Sequence, residues 1–176
     1  MTRKMITQAV LACLALPLAA CGGDQPGNAA APVAAPEKLP AGEYEVQARV
    51  TSIRSTDGKT PLVRLKEGDV LTSRGCVDDK GTPAPALFAA EGDQCRAGDG
   101  YFSGGRINMT LDCTRKGVAG KIMVNVDGRT SVDGLTGRAT TTSFIDGPGD
   151  YELRAELTGK RTGACSAGPP AGGKKA

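Results

Sequence analysis

The chain of 176 residues has no histidine and no tryptophan. Without histidine there is no Ser-His or Cys-His nucleophile pair and no imidazole metal ligand. Aromatics are 3% of the chain, three Tyr and three Phe. No basic stripe interleaved with aromatics appears, so nucleic acid is not an expected partner. Net charge is missing where a domain would lie: between residues 41 and 165, 17 basic and 17 acidic residues cancel, and the formal +3 comes from outside that segment. The N-terminal apolar run falls short of the roughly 20 residues that span a bilayer as a helix. The cysteines have no C-x₂₋₄-C spacing, which argues against a four-thiolate zinc site. Gly58-Lys59-Thr60 looks like the end of a phosphate loop, but Ile53 stands where that loop needs its first glycine.

What is present begins with an export pattern. Arg3 and Lys4 supply the positive end, and residues 6–18 are mostly Ala and Leu. Leu18-Ala19-Ala20-Cys21 then resembles the cleavage and lipidation box of a bacterial lipoprotein. That resemblance implies a signal peptide over 1–20 and a mature chain starting at a lipidated Cys21. Its partner there is the membrane and its location the cell envelope, facing the periplasm. One acyl chain binds a membrane only marginally, and lipoproteins of this type carry several. Gly22, where Asp would signal retention in the inner membrane, points to the outer membrane.

Residues 21–40 are Ala, Pro and Gly with scattered polar groups, a composition that reads as a disordered tether. Pro26, Pro32, Pro36 and Pro40 oppose a helix there. Residues 166–176 read as a similar tail, which leaves 41–165 as one domain. Four cysteines fall in it, Cys76, Cys95, Cys113 and Cys165. An even number in an exported chain reads as two disulfides.

High glycine, Thr- and Val-rich segments and repeated alternation predict an all-β domain. Over 42–53, Tyr44, Val46, Ala48 and Val50 share one face, opposite Glu43, Glu45, Gln47 and Arg49. A second strand is expected over 69–77. One short helix is expected near 83–91, with Thr82 as cap, Pro83 in the first turn, and Leu87 and Phe88 packing on the sheet. Segments 94–102 and 106–114 form a hairpin about Ser103-Gly104-Gly105. A three-residue loop with Gly105 in the left-handed region centres it on Gly104 and sets Cys95 directly opposite Cys113. A two-residue Gly-Gly turn would put these cysteines on opposite faces. The first register pairs Cys95 with Cys113 and leaves Cys76 for Cys165. A strand follows over 118–126, Asp127-Gly128 reads as a turn, and 131–145 reads as a long strand with bends or bulges at Gly134 and Gly137. A last strand runs from 151 to 161. About seven strands joined by short turns make an antiparallel meander, either a curved sheet or a partly closed barrel.

Gly42-Glu43-Tyr44-Glu45-Val46, the Cys95 and Cys113 hairpin, and the ending Gly159-Lys160-Arg161-Thr162-Gly163-Ala164-Cys165 occur together. With Cys76 they resemble the bacterial "domain of unknown function 3617" family of small exported proteins and lipoproteins, over about 41–165. Tyr44 stands where that family often has Trp, and Ala139-Thr140-Thr141-Thr142 replaces a Met-Thr-rich stretch. The resemblance implies an exported, disulfide-stapled β domain and assigns no catalytic residue.

The remaining candidates for chemistry are carboxylates and arginines. Asp78 with Asp79, or Asp146 with Asp150, could form a glycosidase-like pair, and Asp127, Asp133 and Asp146 could hold calcium from loops. Acidic residues at such places are more often turn formers. Arg74, Arg138 and Arg154 lie within strands and, if inward, would mark an anionic-ligand pocket; a solvated face is the simpler reading. Asn108-Met109-Thr110 is a glycosylation sequon only by letter. No enzyme, metal or cofactor is expected. The expected role is a non-enzymatic envelope module that contacts an unknown envelope protein, with a carrier of a small apolar or amphipathic ligand as the alternative. A carboxylate hydrolase ranks third.

Overall fold

The computed structural model describes residues 36–165. Seven antiparallel strands form a single sheet in the order β2-β1-β7-β6-β5-β4-β3. They are β1 (Gly42–Ser55), β2 (Val70–Val77), β3 (Asp93–Ser103), β4 (Arg106–Arg115), β5 (Val118–Ser131), β6 (Gly134–Ile145) and β7 (Tyr151–Gly163). The all-β expectation holds, and the sheet curls into a half-barrel whose free edges are β2 and β3. Alternation sorts the faces. The concave side takes Tyr44, Val46 and Val50 from β1 and Tyr151, Leu153, Ala155 and Leu157 from β7. The convex side is mostly polar, Tyr101 and Phe144 excepted, and laced by cross-strand pairs such as Arg74–Glu45 at 2.7 Å and Arg54–Glu152 at 2.9 Å. These pairs are largely exposed and add little stability.

Three local expectations change. The first is the helix over 83–91, which shrinks to one 3-10 turn, Pro85–Leu87. Ala84 precedes Pro85, and the proline ring disfavours helical backbone in the residue before it. Ala84 is accordingly extended, at φ −63° and ψ 140°. Its N–H donates to the Cys76 carbonyl at 2.8 Å, tying the segment to β2 instead of to a helix.

The second is the turn at Asp127-Gly128. β5 runs straight through it to Ser131, and Val132 and Asp133 make the turn instead. Gly128 lies directly opposite Gly137 in an unbroken register. A Cβ on Gly137 would meet the Gly128 Cα at 2.7 Å. The glycine pair therefore lets two neighbouring strands approach and bend together, which serves the curl of the sheet.

The third is the β3–β4 turn. Gly104 and Gly105 both have positive φ, 59° and 71°, and Ser103 pairs with Arg106. This is the two-residue turn, whose twist suits a hairpin. A register shift between Ala97 and Gly100 then moves the pairing by one residue, so Cys95 still opposes Cys113.

The packed chain also starts before residue 41. The Gly105 N–H donates to the Glu37 carbonyl at 2.8 Å, Thr130 Oγ1 to the Pro36 carbonyl at 2.5 Å, and Tyr44 Oη to the Pro40 carbonyl at 2.9 Å. Leu39 is 2% exposed. Residues 36–40, expected as tether, are a strap across one end of the half-barrel. The rest of the expected tether and the tail over 166–176 lie outside the described residues.

Both expected cysteine pairs are in place. Cys95 and Cys113 have Cα atoms 4.0 Å apart, and Cys76 and Cys165 5.8 Å apart. In the chain-entropy model, closing loops of 18 and 89 residues is worth about 3 and about 4.6 kcal/mol, as ceilings.

Candidate functional site

The two ends of the concave face are filled differently. Near the strap, Leu39, Tyr44, Leu87, Ile107, Met109 and Leu135 form a dense core. Gly159 makes room there, since a Cβ on it would meet Leu135 Cγ at 2.7 Å. Burial pushes the Tyr44 hydroxyl above its ordinary pKa, with the Arg161 charge opposing. Towards the other end the core thins to Val50, Tyr151, Leu153 and Ala155.

A cavity of about 300 Å³ occupies the thin end. It exists because neighbouring strands present alanine at the same level. Ala139 of β6 is paired with Ala155 of β7, which is paired with Val50 of β1, and Ala48 follows on the same face of β1. Leu153, Leu157 and Val124 complete the back wall. The front is the gap between the sheet edges, between Leu71 and Ser73 of β2 and residues 88–91. Ser73 Oγ donates to the Leu87 carbonyl at 2.6 Å, which seals the lower part of that gap. Exposed Val70 and Glu91 stand at the rim, and Val63 and Leu65 lean over it from the β1–β2 loop. A wider depression of about 710 Å³ beside Cys76 and Cys165 lies open to solvent and offers no comparable enclosure.

One ion pair is set into the apolar wall. Arg115, the last residue of β4, reaches Asp93, the first of β3, through Nε at 2.6 Å and Nη2 at 3.0 Å. The Asp93 side chain is 2% exposed and that of Arg115 21%. The hydrogen bonds to Asp93 hold the Arg115 guanidinium charged against the cost of burial. Tyr151 lies beside the pair. Burial raises its hydroxyl above the ordinary value, the Arg115 charge opposes this, and the Asp93 charge adds to it. A two-point guanidinium–carboxylate fork of this kind has fixed geometry and spends its charge internally.

The rim is fastened by Asp57. Its carboxylate accepts N–H bonds from Gly149 at 2.7 Å, Lys59 at 2.9 Å and Asp150 at 3.2 Å, and an O–H bond from Ser55 at 2.9 Å. These donors, Gly149 foremost, hold its pKa far below the usual carboxylate range. The Leu62 N–H donates to the Gly149 carbonyl at 2.9 Å. The β1–β2 loop is thereby latched to the β6–β7 turn.

The family model described as "Protein of unknown function (DUF3617)" matches residues 38–165. The chain is a member of this family. The match takes in Leu39 of the strap, all seven strands and all four paired cysteines. No curated protein and no solved structure is similar enough to match.

In this DUF3617 domain the residues singled out from sequence do not converge. Asp78 Oδ1 accepts the N–H groups of Lys80 and Thr82 in its own turn, and Asp79 is exposed beside it. Asp150 accepts from the Ser143 hydroxyl and the Ile145 N–H, while Asp146 is exposed. Asp127 lies within β5, Asp133 in the β5–β6 turn, and Asp146 beyond the far end of β6. Among the described residues no group of three acidic or cysteine side chains could hold a metal ion. Arg74, Arg138 and Arg154 are all exposed; Arg74 and Arg154 pair with Glu45 and Glu152, respectively. The inward arginine is Arg115, which sequence reasoning passed over. Its signal was available: Arg115 is two residues beyond Cys113 and Asp93 two residues before Cys95, on the face the cysteines share.

Proposed function

We propose that this protein is a non-enzymatic binding module of the bacterial envelope, anchored through a lipidated Cys21, that holds a small apolar or amphipathic molecule in the open end of its half-barrel. The observation that carries this reading is the cavity of about 300 Å³. It lies at the lower limit of ordinary ligand sites and, like them, is mostly apolar with few polar groups. The anchoring is supported by the Leu18-Ala19-Ala20-Cys21 box. The strap over 36–40 lies at the filled end, away from the cavity mouth.

The test uses the segment Val33–Ala176, which forms a compact unit of its own. A water's share of liquid volume is ~30 Å³, so the cavity suits roughly ten non-hydrogen atoms. The probe is 1-octanol, followed by two-dimensional NMR. Saturable shifts at Ala48, Ala139 and Ala155 are expected, and Ala155→Leu should abolish them while leaving the fold intact. Shifts that never saturate, or that survive Ala155→Leu, would sink the binding role. For the anchor, Cys21→Ser in the full chain should move the protein from the membrane fraction to the soluble one.

A further inference from the structure

We infer that the cavity selects uncharged amphiphiles, molecules with a short apolar body and a neutral oxygen head such as an alcohol, ester or ketone, over anionic or cationic ones. This rests on the cavity being a binding site and adds the class of ligand it takes.

The ligand class is decided by which polar groups at the wall are still unspent. Three charged side chains line the cavity: Glu91, Asp93 and Arg115. Arg115 looks like an anion receptor, but two of its nitrogens are committed to Asp93, at 2.6 and 3.0 Å. Both Asp93 oxygens are engaged in the same fork, and this side chain is 2% exposed. A carboxylate ligand would bring a second negative charge to a guanidinium that is already neutralised. It would also lose its hydration against a wall of alanine and leucine, a cost left uncompensated without a partner of its own. Glu91 adds further negative charge at the rim. It is exposed, so its attraction for a cationic head is weak and screened.

The hydroxyls remain. Thr72 is exposed on β2, and Ser73 is spent on the Leu87 carbonyl. Tyr151 and Thr141 line the cavity from neighbouring strands, Thr141 being paired with Leu153, two residues along from Tyr151. Burial keeps the Tyr151 hydroxyl protonated, with the Arg115 charge opposing, so it can donate. A neutral oxygen head fits that donor and the Thr141 hydroxyl without stranding a charge.

The test compares 1-octanol, octanoate and octylammonium at neutral pH on oxidised Val33–Ala176. The octanol is expected to bind on the order of tenfold or more tightly than either ion. Tyr151→Phe, which keeps the ring, should weaken octanol about threefold to tenfold. Thr141→Val serves as a second variant should Tyr151→Phe fold poorly, with a loss in the same direction. Octanoate or octylammonium binding as tightly as octanol, or octanol affinity unmoved by both variants, would overturn the selectivity while leaving the binding role standing. Binding of none of the three would overturn the binding role itself.

Discussion

The filled end and the hollow end of this half-barrel are built by the same strands, and their inward residues differ in size more than in kind. β1 contributes Tyr44 and Val46 to one end and Ala48 to the other; β6 contributes Leu135 and then Ala139; β7 brings Ala155 to the hollow end beside Ala139. A sheet curled around a full core needs large side chains at every level, because interiors pack as densely as organic crystals. Here that rule is met beside the strap and relaxed at the mouth. The relaxation coincides with the one ion pair buried in the wall and with the latched loop. A space left by three small residues on adjacent strands, rimmed by specific polar contacts, has the organisation of a site.

The strongest way to break that comparison is to exchange sizes between the ends. Leu111, fully buried in the dense core, should cost about 3–4 kcal/mol on change to Ala, since the lost contacts leave a cavity that cannot collapse. Ala155→Leu adds volume where volume is missing and should change stability by less than about 1 kcal/mol. Urea denaturation of both variants measures the difference. Equal losses would mean that the hollow end is as tightly packed as the other and that the cavity is closed in solution.

How far this was legible in the sequence differs between the ends. Alternation announced the strands, because period two leaves no other reading for segments such as 42–53. Centring the β3–β4 hairpin on Gly104 gives the register from Ala97 to Asp93, whereas from Gly100 to the two-residue turn the pairing is one residue off it. The shift near Gly98 and Gly100 compensates, and glycine inside a strand was the available sign of it. The same centring also sets Asp93 opposite Arg115, the pair in the cavity wall. The cavity was not legible. Ala48, Ala139 and Ala155 each read as ordinary apolar positions, and only the cross-strand pairing sets Ala139 beside Ala155 with Ala48 one step along the same face of β1. Asp127-Gly128 misled for a related reason: a strong local turn signal lost to a cross-strand fit with Gly137 that no local pattern contains.

A sharper and smaller test concerns the ion pair. Arg115→Met alone leaves the Asp93 carboxylate buried without its partner and should cost about 3 kcal/mol. Adding Asp93→Leu should recover most of that loss, because two apolar side chains can fill the site without stranding a charge. Urea midpoints for the single and double variants decide it. A double variant no more stable than the single one would show that the fork holds the hollow end together beyond its own charges.

The smallest effect expected is at the latch, and its sign follows from Asp57. The folded protein favours the ionised carboxylate, because the N–H groups of Gly149, Lys59 and Asp150 all point at it. A depressed folded pKa contributes stability above the unfolded value, near 3.8, and loses it as pH falls towards the folded value. The loop should therefore stay closed throughout the neutral and mildly acid range and loosen only below about pH 3.8, where protonation first competes. The amide signals of Gly149 and Leu62 report on it directly. They should stay constant down to that point and then move together. In Asp57→Asn the charge-assisted part of these bonds is lost at every pH, so the two signals should start displaced and show no acid transition of their own. Because Val63 and Leu65 follow Leu62 onto the rim of the cavity, octanol should dissociate faster from Asp57→Asn while the dense core keeps its stability. A variant that loosened both ends alike would mean that the latch serves the fold as a whole, and the division between a packed end and an adjustable one would fail.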